Sequence, residues 1–248
     1  MCGRYSLFVP PEDISERFGV DVSAYEPRYN AAPSQSLPVI TDEHAETLQT
    51  MEWGLVPSWA DSRDDGGHIN ARAETLADTP SFRAAFEQEH HGELRAGRCL
   101  VPADGFYEWA EANGAKQPYR VTLADDEPFA MAGLWAQWKP PTTQTGLDAF
   151  ASDTATHHNN DVVETFSIVT TEPNDLVADL HHRMALVLPE EGERRWLRGS
   201  PGEVRDLLEP YPGEAMRAYP VSRAVNDPTN DSPAVVEAVD GDREGSAG

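Results

Sequence analysis

The sequence predicts an α+β fold in a single domain: a mainly antiparallel, barrel-like sheet core with a few peripheral helices. Three observations lead to it. Strand-like runs outnumber helical ones, and the two kinds do not alternate regularly, which argues against a parallel doubly wound sheet. The composition, 39% hydrophobic and 25% charged over 248 residues, supplies a real core and excludes a disordered or fibrous chain. That length suits one large domain or two small ones, and no internal repeat is visible.

Taken in chain order, the elements read as follows. Residues 11–18 (PEDISERF) open with Pro and carry acids in the first turn, a helix start. Residues 37–41 (LPVIT) read as a strand. Residues 79–89 begin Thr-Pro-Ser and place Phe82 and Phe86 four apart, on one helical face. Strands follow at 99–103 (CLVPA), 119–123 (YRVTL), 129–134 (FAMAGL), 166–170 (FSIVT) and 185–188 (ALVL). Two further helices are expected at 191–198 and 201–208, the latter after a Ser-Pro start at Ser200. Residues 139–162 are polar and aperiodic and read as a surface insertion. The folded domain is expected over 2–230, with residues 231–248 as an acidic, frayed tail.

Charge is the strongest compositional signal. Nineteen basic residues against 43 acidic ones give a net charge of −24, and 17 of the basic residues are Arg, leaving Lys116 and Lys139. An acidic, Lys-poor but otherwise ordinary composition suggests a host with high internal salt, where the Debye length falls to roughly 3 Å at 1 M; a generic acidic protein is the alternative. Such a charge repels phosphates, but that objection weakens at molar salt, so charge alone leaves the ligand open. No run approaches 18 consecutive apolar residues, so no membrane association is expected. The two cysteines, Cys2 and Cys99, cannot form a disulfide framework or a four-cysteine zinc site. A reducing, cytoplasmic setting is expected. The pairs His90-His91 and His157-His158 match no metal-ligand spacing, so neither a metal nor a cofactor is expected.

Cys2 follows the initiator Met directly, and its small side chain is compatible with removal of Met1. An N-terminal cysteine would carry two nucleophiles on one residue. Its α-amine, with an ordinary pKa of about 7.7–8.0, is far more often neutral near pH 7 than a lysine amine at about 10.4. Glu108 lies after the Ala103-Asp104-Gly105 turn in an aromatic run. In a strand, Phe106 and Glu108 face one way and Tyr107 and Trp109 the other. A carboxylate among aromatics is partly desolvated, which raises its pKa and suits acid/base work. Asn70 and Arg72 share a face at strand spacing, and an imidazole such as His181 can exchange protons near pH 7. In an extended chain His182 would point to the opposite face.

These residues recur in an ordered series: Cys2-Gly3-Arg4-Tyr5, Tyr29-Asn30-Ala31-Ala32-Pro33, Trp53-Gly54-Leu55-Val56-Pro57-Ser58-Trp59 and Asn70-Ala71-Arg72-Ala73-Glu74-Thr75. Then come Arg98 through Trp109, Thr170-Thr171, His181-His182-Arg183-Met184 and Pro220-Val221-Ser222-Arg223-Ala224-Val225. The series resembles the SRAP family, the SOS-response-associated peptidases or abasic-site processing proteins, from residue 2 to about 225. One departure is Met184-Ala185, where the family commonly reads Met-Pro.

The resemblance implies a DNA-repair protein of the SOS response that binds single-stranded DNA and attaches covalently to abasic sites through Cys2. Amine and thiol would close a thiazolidine on the sugar aldehyde and suppress strand cleavage. It implies catalytic roles for Cys2, Asn70, Glu108 and His181, with Asn70 holding the Cys2 terminus or the sugar. For DNA it implies phosphate contacts by Arg4, Arg72, Arg183 and Arg223, and contacts by Asn30, Pro33, Trp53, Trp59 and Trp109, the aromatic and Pro faces stacking on bases. A monomer, nucleoid-associated when on DNA, is expected. Two other readings stay open: a cysteine-dependent hydrolase using Cys2 and His181, possible Met1 self-removal included, and a plain single-strand-binding module indifferent to Cys2.

Overall fold

In the computed structural model the described residues are 2–23, 25–63, 66–112, 114–140 and 162–239. Among them the chain forms twelve strands and four α-helices. The first half contains β1 (Tyr5–Leu7), α1 (Pro11–Phe18), β2 (Arg28–Ala31), β3 (Ser36–Thr41), β4 (Gln49–Trp53), β5 (Asn70–Arg72), α2 (Pro80–Glu87) and β6 (Ala96–Ala103). The second half contains β7 (Gly105–Ala112), β8 (Ala115–Leu123), β9 (Phe129–Trp138), β10 (Val163–Thr171), α3 (Asp175–Ala178), β11 (Met184–Ala185), α4 (Glu190–Arg198) and β12 (Met216–Pro220). No helix among them is long and apolar enough to cross a membrane.

Five strands close on themselves. β3 pairs with β4 and β6, β6 with β9, and β9 with β10, all antiparallel, and β10 returns to β4 in parallel. Closure leaves no free edge around that ring. All eight residues of β6 are buried, because one face looks into the barrel and the other lies under α2 and α4. That explains its unbroken apolar run. The expected α+β architecture with a mainly antiparallel, barrel-like core is the one the chain adopts.

A second sheet, in the order β12-β8-β7-β1-β2, leans on the barrel, and the chain passes from one to the other between β6 and β7 at Asp104. This corner fixes the start of the chain. The buried Asp104 carboxylate accepts hydrogen bonds from Ser6 Oγ (2.6 Å), from the Phe8 and Val9 amides (2.5 and 3.2 Å) and from Arg120 Nη2 (2.7 Å). Arg120, also buried, binds Ser6 Oγ and Tyr219 Oη and lies over the Phe8 ring. Such a pair holds in a low-dielectric interior only because its remaining polar atoms are bonded too. Gly105 is needed here, since a Cβ would stand 2.7 Å from Arg120 Nε.

The helix over 11–18 forms as expected and ends at Gly19, in the left-handed region at φ 67°. The expected strands form within longer ones, and α2 and α4 fall on their expected segments. Two elements differ. Residues 201–208 make a turn and then a 3-10 helix at Arg205–Leu208. There Glu203 takes the Ser200 N–H and Oγ–H, and Val204, at φ −102° and ψ 3°, breaks the helical path. At 185–188 the strand is β11 only. Beyond it the backbone changes partner, from Val169 of β10 at Leu186 to Ala130 of β9 at Leu188.

The C-terminal segment also departs from the frayed tail expected from Asp231. Asp231 accepts from the Tyr29 and Asn30 amides, Val235 is buried, and Ala238 bridges Val221. Most of the surface insertion expected at 139–162, and the end of the tail from 240, lie outside the described residues.

Candidate functional site

Strand pairing brings the start of the chain to the middle of β7. Tyr5 faces Phe106 in antiparallel register, and the Tyr107 amide donates to the Arg4 carbonyl at 3.0 Å. Continued one step, the same register carries Cys2 and Gly3 toward Glu108. From the other side, the parallel pairing of β5 with β10 sets Asn70 opposite Ile168, and its Nδ2 donates to the Cys2 carbonyl at 3.0 Å. His181 follows α3, whose Asn174 cap accepts from the Val177 amide at 2.9 Å. The His181 amide donates back to the Val177 carbonyl at 2.8 Å. Its Nδ1 then stands 3.6 Å from Glu108 Oε2, in charge contact but beyond a hydrogen bond. Tertiary structure therefore gathers Cys2, Asn70, Glu108 and His181 from the segment before β1, from β5 and β7, and from the α3–β11 turn.

Burial sets the electrostatics. Glu108 is 1% exposed, and desolvation pushes its carboxyl up to about 7. Cys2 is fully buried; burial first, and then the Glu108 charge, raise its thiol well above the usual range. Burial also lowers His181, so its ring is neutral at pH 7. Nδ1 accepts the Arg183 amide at 3.1 Å when the ring proton sits on Nε2. The Arg183 carbonyl, 3.0 Å from the same nitrogen, accepts instead when the ring proton sits on Nδ1. A carboxyl balanced near neutrality beside a neutral imidazole can both take and give protons at pH 7.

Glu108, Trp109, Lys116, His181 and Asn226 line a cavity of about 410 Å³. Trp109, half-buried, donates its Nε1–H to Asn226 Oδ1 at 2.8 Å. Arg4 lies nearby, with Nη2 reaching the Asn226 carbonyl at 3.4 Å. Lys116 and Asn226 escaped the sequence reading. Lys116 had a weak signal, being one of two lysines in the chain; Asn226 had none.

The remaining expected DNA contacts scatter. Trp53 is fully buried between Tyr5 and Phe166 and donates to the Ile69 carbonyl; it is a core residue and presents no face to a base. Asn30 is likewise buried, and its Nδ2 serves the Val225, Asp227 and Asn230 carbonyls, so it anchors the C-terminal segment instead of DNA. Arg183 is paired bidentately with Glu74. Trp59 is 48% exposed, on the rim of a separate cavity of about 440 Å³ with Arg83, His90 and His91. Pro33 is half-buried, and Arg72 and Arg223 are exposed. His181 and His182 do not point to opposite faces: the chain turns there, and their rings lie 4.2 Å apart.

The fold is a barrel-based α+β one, and it brings a thiol, a carboxylate and an imidazole together beside β7. The family model described as SOS response associated peptidase (SRAP) matches residues 1–228, and the chain belongs to that family. It is similar to the abasic site processing protein YoqW of Bacillus subtilis, 39% identical over 96% of this chain and all of that one. It is 30% identical to the abasic site processing protein YedK of Escherichia coli, over 96% of this chain and all of YedK. A crystal structure of a Bacteroides thetaiotaomicron protein superposes with a TM-score of 0.78 at 28% identity, covering 96% of this chain and all of that one.

Proposed function

We propose that this protein acts in DNA repair by capturing abasic sites in single-stranded DNA covalently through Cys2, as a monomer, once Met1 has been removed. The observation that carries the reading is the convergence of Cys2, Asn70, Glu108 and His181 on one point, with Glu108 poised near neutrality. The names of the relatives, abasic site processing proteins, agree with it.

The chemistry balances on these groups. The ring-opened sugar offers an aldehyde. The Cys2 amine adds to it, and the carbinolamine loses its hydroxyl as water to give an imine. The Cys2 thiol then adds across the C=N bond, its proton passing to nitrogen, and the five-membered thiazolidine closes with one water released overall. Glu108 takes the amine or thiol proton and returns one to the leaving hydroxyl. The His181 Nε2–H donates to the sugar oxygen as the ring opens, and Asn70 holds Cys2 by its carbonyl. A plain binding module has no use for a buried carboxyl and imidazole at the chain start.

The test is a denaturing gel of Met1-free protein with single-stranded DNA bearing one abasic site. A denaturant-resistant band lost in Cys2→Ala is the expected result. The same band in Cys2→Ala, or none with the natural protein, rejects the reading.

A further inference from the structure

The His181 ring is held at Nδ1, which lies 3.1 Å from the Arg183 amide and 3.0 Å from the Arg183 carbonyl. The restraint comes from Arg183, two residues on and just before β11. The Arg183 amide holds Nδ1, and the Arg183 side chain, 11% exposed, is fixed at three points. Nη1 and Nη2 grip the two Glu74 carboxylate oxygens at 2.5 and 3.0 Å, and Nη2 also donates to the Thr170 carbonyl at 2.6 Å. Glu74 lies just after β5, the strand that carries Asn70, and Thr170 lies in β10, which pairs with β5. The bidentate fork is the strongest common form of a charge-assisted hydrogen bond, and it fixes orientation as well as distance.

We infer that Glu74 is a positioning residue for His181: by clamping Arg183 against β5 and β10 it sets the Arg183 amide and carbonyl that together hold Nδ1 and fix the ring's orientation and tautomer balance. This rests on the reading of His181 given above. Glu108 from β7, Lys116 from β8 and the adjacent His182 also act on the ring.

The experiment compares Glu74→Ala and Glu74→Gln with the natural protein by NMR of the ¹⁵N-labelled imidazoles, alongside the rate of cross-linking to abasic single-stranded DNA. In the natural protein neutral His181 should show one dominant tautomer. Glu74→Ala should mix the tautomers and slow cross-linking about tenfold, without weakening binding of intact single-stranded DNA. Glu74→Gln preserves the shape and should fall between. An unchanged tautomer in both variants overturns the inference, whatever the rates do. If the natural protein forms no cross-link, the proposed function fails, and the NMR result alone decides the role of Glu74.

Discussion

Two acidic residues four positions apart, Asp104 and Glu108, are almost equally buried and have opposite surroundings. Asp104 stands at the barrel–sheet corner with a buried arginine, a hydroxyl and two backbone amides on its carboxylate. Glu108 stands in mid-strand, with an imidazole 3.6 Å away and a thiol under its field. Burial alone penalises either charge; what differs is whether the site supplies partners for the charged form. Where it does, the acid is structural. Where desolvation dominates, as at Glu108, the acid sits near neutrality and can exchange protons.

The largest break in that comparison is expected at Asp104. Asp104→Ala leaves Arg120 buried without its charge partner and should cost about 3–5 kcal/mol in urea unfolding. A loss below about 1 kcal/mol would mean the corner is not what holds β1.

Next comes Glu108→Gln, which should slow cross-linking by roughly 10²–10³-fold, the range of lost acid/base catalysis, while leaving the fold intact. Its stability effect has a defined sign. The folded carboxyl titrates at about 7 and the ordinary one near 4.5, so the native state binds the extra proton between those values. Stability from Glu108 is complete below about pH 4.5 and is lost as pH rises through 7, by on the order of 3 kcal/mol. Glu108→Gln should therefore gain stability relative to the natural protein between pH 5 and 8. A constant difference across that range would contradict the poised carboxyl.

The smallest effect is expected at Lys116, exposed on the cavity rim. Lys116→Ala should weaken abasic DNA binding a few-fold at low salt and reduce the slope of log K against log salt by about 0.7, one phosphate contact. An unchanged slope would move the DNA path away from that wall.

Much of this was legible in the chain. The helix at 11–18 was visible because Pro and acids mark its start, and the core strands because their apolar runs are long. The strand alternation of Phe106 and Glu108 against Tyr107 and Trp109 holds. Phe106 packs into the main core, while Tyr107 and Trp109 pack on Val221, Val225 and Val235. Trp53 misled because an aromatic in a motif reads the same whether it faces a base or a core. Asn30 misled because its three carbonyl partners lie some two hundred residues away. The tail misled because Asp231 looks like solvent-loving composition until the Tyr29 and Asn30 amides are placed beside it.

By itself the sequence determined the fold class, the family and the four residue types at the site, because periodicity, punctuation and motif order are local properties. Only the tertiary structure decided which of those residues meet. Cys2, Asn70, Glu108 and His181 become neighbours through barrel closure and strand register, and the environment of Glu108 depends on what that closure leaves beside it. A carboxylate's chemistry is set by its surroundings, and in this chain those surroundings are assembled from segments far apart in the sequence.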